Sequence, residues 1–282
     1  MSNSLASDTP VELSIIVLTF NSAKCVDKCL QYAFGAMEKV GIHGEVVIFE
    51  NGSVDGTVAL LNAAQSQYGD KLKVLYSETN LGTTRSRNAA IKASKGRFLL
   101  VLDSDAFITP ECLQRMRDFL DSHTDYGMVG PRLNYRSGNF QLSYDEFPTL
   151  QRKLNRYFFL RGMEQSTEQP QQTIEVDYLI SACWLLRKEV FDIVGPLDEE
   201  IFYAPEDVDY CLRVWKAGFK IAYLPDVAMV HDAQELSRGI KFNRFVLKHA
   251  LGLLYYFKKH GYFWSLSKTK QQIAEQVQSR AS

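Results

Sequence analysis

The apolar run at residues 98–102 (Phe-Leu-Leu-Val-Leu) passes directly into Asp103-Ser104-Asp105. An uninterrupted apolar run reads as a strand buried on both faces, which belongs inside a parallel sheet covered by helices. In such sheets ligands gather just beyond the carboxyl ends of the strands. Two carboxylates one residue apart at that point offer hard oxygen ligands for Mg²⁺ or Mn²⁺, and a cation held there can grip a diphosphate. Taken alone, the same acids also read as a solvated turn ahead of a helix starting at Thr109-Pro110-Glu111. The surrounding pattern decides between the two.

That pattern is an alternation of strands and helices. Strands are expected at 13–18, 45–49, 72–76 and 97–102. Between them lie a helix running from a cap at Asn21-Ser22 to Val40, a second at 57–67, and a third after Gly82 that carries Arg85, Arg87 and Asn88. This implies an α/β fold: right-handed βαβ units and a Rossmann-like, mostly parallel central sheet flanked by helices. The second half is less regular. A strand at 127–133, a hairpin around 137–139, a mobile loop over 162–173 and a strand-like stretch at 174–186 are expected in turn. A short helix at 188–194, an amphipathic helix at 208–217, two short strands at 221–224 and 227–230 and a helical tail complete the chain. The organisation expected is a flexible start (1–10), one domain (11–235) with its halves meeting at Asp105, and a helical C-terminal extension (236–282).

Composition removes several classes. A formal net charge of −1 gives no bulk attraction for nucleic acid. The five cysteines are odd in number and lack metal-site spacing, which fits packing in a reduced, cytoplasmic setting. Residues 1–10 lack the basic start and apolar run of a signal peptide, and no stretch of 18 uncharged apolar residues marks a membrane span.

Six segments, in order, carry a resemblance. They are Ser14-Ile15-Ile16-Val17-Leu18-Thr19-Phe20-Asn21; Glu50-Asn51-Gly52-Ser53-Val54-Asp55-Gly56-Thr57; Asn80-Leu81-Gly82 with Arg87-Asn88; Leu102-Asp103-Ser104-Asp105-Ala106; Glu206-Asp207-Val208-Asp209-Tyr210-Cys211-Leu212-Arg213; and Val227-Ala228-Met229-Val230-His231. Over about residues 12–235 the chain resembles the family 2 glycosyltransferases of GT-A fold, and within them the rhamnosyltransferase-like group. The resemblance implies an inverting transfer of a sugar, rhamnose among the candidates, from a dTDP- or UDP-linked donor to a hydroxyl of a glycan or lipid-linked saccharide of the cell envelope.

It also implies roles. Thr19, Phe20, Asn21, Glu50 and Asn51 would cradle the nucleotide, with Phe20 stacked on the base. Phe20 stands where Tyr is commoner and Glu50 where Asp is commoner, so base identity stays open. Arg87, at a helix start, would meet phosphate. Asp103 and Ser104 would hold the nucleotide sugar, Asp105 the metal with Asp103 beside it, and His231 a third metal position. Asp207 would be the base, with Glu206 orienting or neutralising its neighbours. Asp209 is expected to pair with Arg213 or cap its helix. Trp184 would offer a sugar platform in the acceptor site, or else belong to the core. Two other readings remain at this level: a nucleotidyltransferase, and a non-catalytic member that binds nucleotide sugar or glycan.

In the tail, apolar residues at 242, 245, 246, 249/250, 253 and 257 form one helical stripe flanked by Lys and Arg. Such a helix lies on an anionic membrane surface at the inner face of the cytoplasmic membrane, or packs on the core or on a second subunit of a homodimer.

Overall fold

The computed structural model covers residues 10–149, 152, 162–164, 169–233 and 244–281. Residues 1–9 of the start expected to be flexible, 165–168 of the expected loop and 236–243 of the expected C-terminal extension lie outside the described residues.

Strands β1 (Leu13–Thr19), β2 (Gly44–Asn51), β3 (Leu72–Ser77) and β4 (Phe98–Asp103) pair in parallel in the order β3-β2-β1-β4. Helices α1 (Val26–Val40), α2 (Thr57–Tyr68) and α3 (Thr83–Lys92) make the crossovers. Successive residues of β1 feed opposite layers: Ile15 and Val17 lie in one core cluster and Ile16 in the other. Phe98, Leu100 and Leu102 of β4 likewise face away from Leu99 and Val101, so the apolar run is apolar because both faces are covered.

After β5 (Ala106–Phe107), helix α4 (Pro110–Ser122) begins with Thr109 accepting from the backbone of Cys112 and Pro110 in the first turn. Strand β6 (Tyr126–Asn134) turns back through β7 (Phe140–Gln141) as the expected hairpin. The stretch at 174–186 departs from expectation and is three strands: β9 (Ile174–Glu175), β10 (Tyr178–Leu179) and β11 (Cys183–Arg187). β10 leaves the main sheet to pair with β8 (Tyr144–Asp145), which breaks the run. β11 is antiparallel to β4 and β6, so the sheet becomes mixed here.

Helix α5 (Lys188–Val194) matches its expected bounds. Helix α6 (Glu206–Lys216) starts two residues earlier than expected, which places Glu206 and Asp207 in its first turn. The two short strands expected near the end are one, β12 (Lys220–His231). Its register against β6 shifts between Leu224 and Ala228, where Pro225 cannot donate to the ladder. Helices α7 (Arg244–His260) and α8 (Ser267–Ala281) close the chain. Tyr256 and Phe257 of α7 and Ile273 of α8 are buried in the second core layer, so the tail packs on the domain by one face.

The first helix also departs from expectation. It begins at Val26 and is not capped by Asn21-Ser22. Asn21 sits at positive φ (54°), accepts from Val54 N–H through its side chain, and donates its own N–H to the Ser53 hydroxyl. Those groups tie the ends of β1 and β2 together and are therefore not free to cap.

Candidate active site

The carboxyl ends of β1, β2 and β4 meet at one edge of the sheet. Phe20, just beyond β1, is 43% exposed. Thr19 is buried with its hydroxyl directed at the Phe49 carbonyl (3.5 Å). Glu50 is buried as well, and its carboxylate accepts from the N–H groups of Gly52 (3.2 Å) and Ser53 (2.7 Å). The loop after β2 is thus held by the acid that precedes it. Asn51 reaches across to the next loop, donating to Asn80 Oδ1 (3.0 Å) and accepting from Leu81 N–H (2.8 Å). Gly82, at φ 86°, lets that loop run against Phe202, where an added Cβ would collide with the Phe202 carbonyl.

At the end of β4 the acids diverge. Asp105 Oδ1 lies 3.3 Å from His231 Nε2 and Asp103 Oδ2 lies 3.8 Å from it. One ligand atom from each of the three falls within 4.8 Å of the others. β12 brings His231 to this point because its last residues pair with β5, immediately after the acid pair (His231 opposite Ala106). His231 Nδ1 faces Gln141 Oε1 at 2.9 Å, which orients Nε2 toward the acids. Two carboxylates and an oriented imidazole suit a divalent cation such as Mg²⁺ or Mn²⁺. Burial works against a charged His231, but the two aspartates outweigh it and hold its pKa above the ordinary value. Ser104, between the acids, meets the Ser22 hydroxyl at 2.9 Å.

Arg87 departs most from the sequence expectation. Its side chain is 3% exposed and does not stand free for phosphate. One guanidinium nitrogen donates to Asp103 (2.7 Å) and to the Ser181 carbonyl (3.2 Å), and the other donates to Glu206 (3.2 Å). The same Glu206 oxygen accepts from the Ser181 hydroxyl (2.9 Å). Arg87 therefore joins the acid pair of β4 to the acids of α6. Burial and neighbouring Asp207 push the Glu206 carboxyl up to about 8 despite Arg87. Asp207 is half-buried beside it, its carboxylate accepting only from Val208 N–H (2.8 Å) among the contacts described.

Of the two readings open for Trp184, sugar platform or core, its burial fits the core. It is 1% exposed, stacked near Tyr210 in the second core layer, with its indole N–H donated to the Leu179 carbonyl (3.2 Å). As the second residue of β11 it pairs with Val101 of β4, so it points into a covered layer. Cys183 is buried with its thiol pushed well above the usual range, which suits packing. Asp209 pairs with Arg213 (3.0 Å) as expected.

Sequence reasoning missed two residues. Gln141 arrives through the β6–β7 hairpin, and no local signal marks it. Tyr203 is half-exposed, and its phenol is pushed up to about 12 by burial and then by the charges of Glu206, Asp103 and Asp207. An aromatic three residues before the Glu-Asp pair was the available signal.

The family profile "Glycosyl transferase family 2" matches residues 14–195. The dTDP-rhamnosyl transferase RfbF of Shigella flexneri is 28% identical over 165 residues, covering 57% of this chain and 52% of that protein. The N-acetylglucosaminyl-diphospho-decaprenol L-rhamnosyltransferase of Mycobacterium tuberculosis (strain CDC 1551 / Oshkosh) is 24% identical over 273 residues, covering 89% of this chain and 86% of that protein. The chain spans a third or less of the length of several other curated relatives that it matches. Among solved structures, the mannosyltransferase PcManGT of Pyrobaculum calidifontis, in complex with GDP-Man and Mn²⁺, has a TM-score of 0.60 at 18% identity, covering 89% of this chain and 64% of that one. The likeness is one of GT-A fold.

Proposed function

The chain belongs to glycosyl transferase family 2, and from that premise we propose that it moves a sugar from a nucleoside-diphosphate donor to a hydroxyl of a glycan or lipid-linked saccharide. The transfer is inverting and needs Mg²⁺ or Mn²⁺. The observation that carries this reading is the Asp103–Asp105–His231 cluster, joined through Arg87 to the Glu206-Asp207 turn.

Residues 11–105 serve the donor and 106–235 the acceptor, with 236–282 as an extension. Phe20 stacks on the base, and Asn21, Glu50 and Asn51 hold the loops that shape its cleft. Asp103, Asp105 and His231 hold the cation, which when bound offsets charge on the departing diphosphate as a Lewis acid. Asp207 takes the proton from the acceptor hydroxyl. The acceptor oxygen bonds to the anomeric carbon as the bond from that carbon to the diphosphate breaks on the opposite face. Glu206 and Arg87 fix the position of that turn, and Tyr203 takes the aromatic role expected of Trp184. The name of the Shigella relative favours a dTDP-linked rhamnose donor, and that of the mycobacterial relative favours rhamnose transfer to a lipid-linked acceptor.

A thermal-shift panel of UDP, dTDP, GDP and CDP, each with Mn²⁺, Mg²⁺ or chelator, tests this directly. Ligands that bind only the folded state raise its apparent stability. The expected result is a metal-dependent rise with one nucleotide, dTDP or UDP. A rise unaffected by chelator would remove the metal from the reading, and no rise with any nucleotide in folded protein would remove the donor site.

A further inference from the structure

Residues 236–274 contain eight Lys or Arg and no Asp or Glu, in a chain whose net charge is −1. Positive charge is thus concentrated in the tail while the rest of the chain is acidic. No helix among the described residues is long and apolar enough to cross a membrane.

Helix α7 within this stretch has two distinct faces. Its inner face is fastened to the catalytic side of the domain. Tyr256 and Phe257 are buried, Tyr255 donates to Asp198 (2.9 Å), and Lys259 bridges Asp198 and Asp209 (2.6 Å each). His260 Nε2 lies 2.8 Å from Asp209 on α6. At Gly252 an added Cβ would collide with the Ala204 carbonyl, so the helix runs against the loop that leads into Glu206-Asp207.

Its outer face, among the described residues, turns large apolar side chains to solvent. Leu251 (57% exposed) and Leu254 (58%) lie three residues apart, and exposed Lys258 follows on the same stripe at the next turn. Beyond the helix, the turn before α8 presents Phe263 (43%) and Trp264 (72%), with exposed Lys268 soon after. Exposed leucines, an interfacial Trp-Phe pair and flanking lysines without acids suit the boundary of an anionic bilayer. A symmetric contact with a second copy would set like charges against each other.

We propose that Leu251, Leu254, Phe263 and Trp264, flanked by Lys258 and Lys268, form a docking surface for an anionic lipid bilayer. The inner-face contacts then hold the Glu206-Asp207 turn at a defined position relative to that surface. The inference deepens the lipid-linked-acceptor reading above, but its test needs no acceptor.

Trp184 and Trp215 are buried, so Trp264 is the exposed member of the three tryptophans and the one acrylamide reaches most readily. The probe is a vesicle of equal parts phosphatidylglycerol and phosphatidylcholine, added to the full chain. The expected result is a blue shift and severalfold weaker quenching of Trp264, together with co-sedimentation. Both should weaken in phosphatidylcholine alone and at high salt. Trp264→Phe removes the quenchable signal. The Leu251→Glu/Leu254→Glu variant lowers partitioning about tenfold or more. As these side chains are exposed, its circular dichroism should match the parent. Lys258→Glu/Lys268→Glu weakens binding to the anionic vesicles specifically.

Absence of a shift and of co-sedimentation would overturn the inference, as would undiminished binding by the leucine variant. So would shielding of Trp264 that rises with protein concentration without vesicles. The nucleotide panel separates the two claims: vesicle binding without a nucleotide shift supports the docking surface while defeating the donor-site reading.

Discussion

The half of the site proposed to serve the donor and the half proposed to serve the acceptor are built differently. On the donor side, four parallel strands end at one edge, and consecutive loops there bond to each other: Asn21 to the 53–54 turn, Asn51 to Asn80 and Leu81. Much of that geometry is main chain held by neighbouring side chains. On the acceptor side, short strands change direction and one leaves the sheet, so the working groups are single side chains brought from distant segments. Regular pairing holds the main chain at the strand ends in one geometry, which suits the proposed donor site. Irregular pairing lets individual side chains vary without disturbing that geometry.

Arg87 is the seam between the two sides, and four variants probe it. Asp207→Asn has the largest expected effect: transfer falls about 10²–10⁴-fold while the metal-dependent nucleotide shift persists. Steady-state transfer and thermal shift on the same sample check this, and retained transfer would remove Asp207 as base. Arg87→Met damages both sides, because Glu206 and Asp103 lose a buried partner. The loss should be about 3–5 kcal/mol in urea denaturation, toward the lower end since the Asp103 side chain is 33% exposed. An unchanged midpoint would mean that the two sides are not energetically joined.

Phe20→Ala should act on the donor side alone. It weakens nucleotide binding by about 0.5–1.5 kcal/mol, a few-fold to roughly tenfold by titration calorimetry, with little change in melting temperature. An unchanged affinity would show that the base lies elsewhere. The fourth expected effect is a slope with pH. Glu206 has a folded pKa of about 8 against an ordinary 4.5, so the folded state keeps a proton that the unfolded chain has lost between those values. The stabilisation is complete below about pH 4.5 and is lost as pH rises through about 8. Glu206→Gln should flatten this decline, read as urea midpoints from pH 5 to 8. An unaltered decline would assign it to other groups.

Legibility in the sequence follows how local each feature is. The βαβ series, the acid pair at the end of β4, and the bounds of α5 were readable because each depends on local periodicity and nearby punctuation. The split of 174–186 into three strands was not, because pairing with β8 overrides a continuous apolar run. The start of α1 was misread because Asn21 and Ser22, good capping residues by type, are engaged by loops distant in sequence.

By itself the sequence determined a two-face-covered parallel sheet, the chemistry available at its strand ends and a basic, amphipathic tail. These follow from side-chain type and spacing, which act over a few residues. Only the tertiary structure decided that Arg87 meets Glu206, 119 positions away, that Gln141 orients His231, 90 positions away, and that Trp184 is core rather than platform. Such pairings depend on how distant elements pack and, for Gln141, His231 and Trp184, on strand register, where a shift of one residue would turn each side chain to the other face.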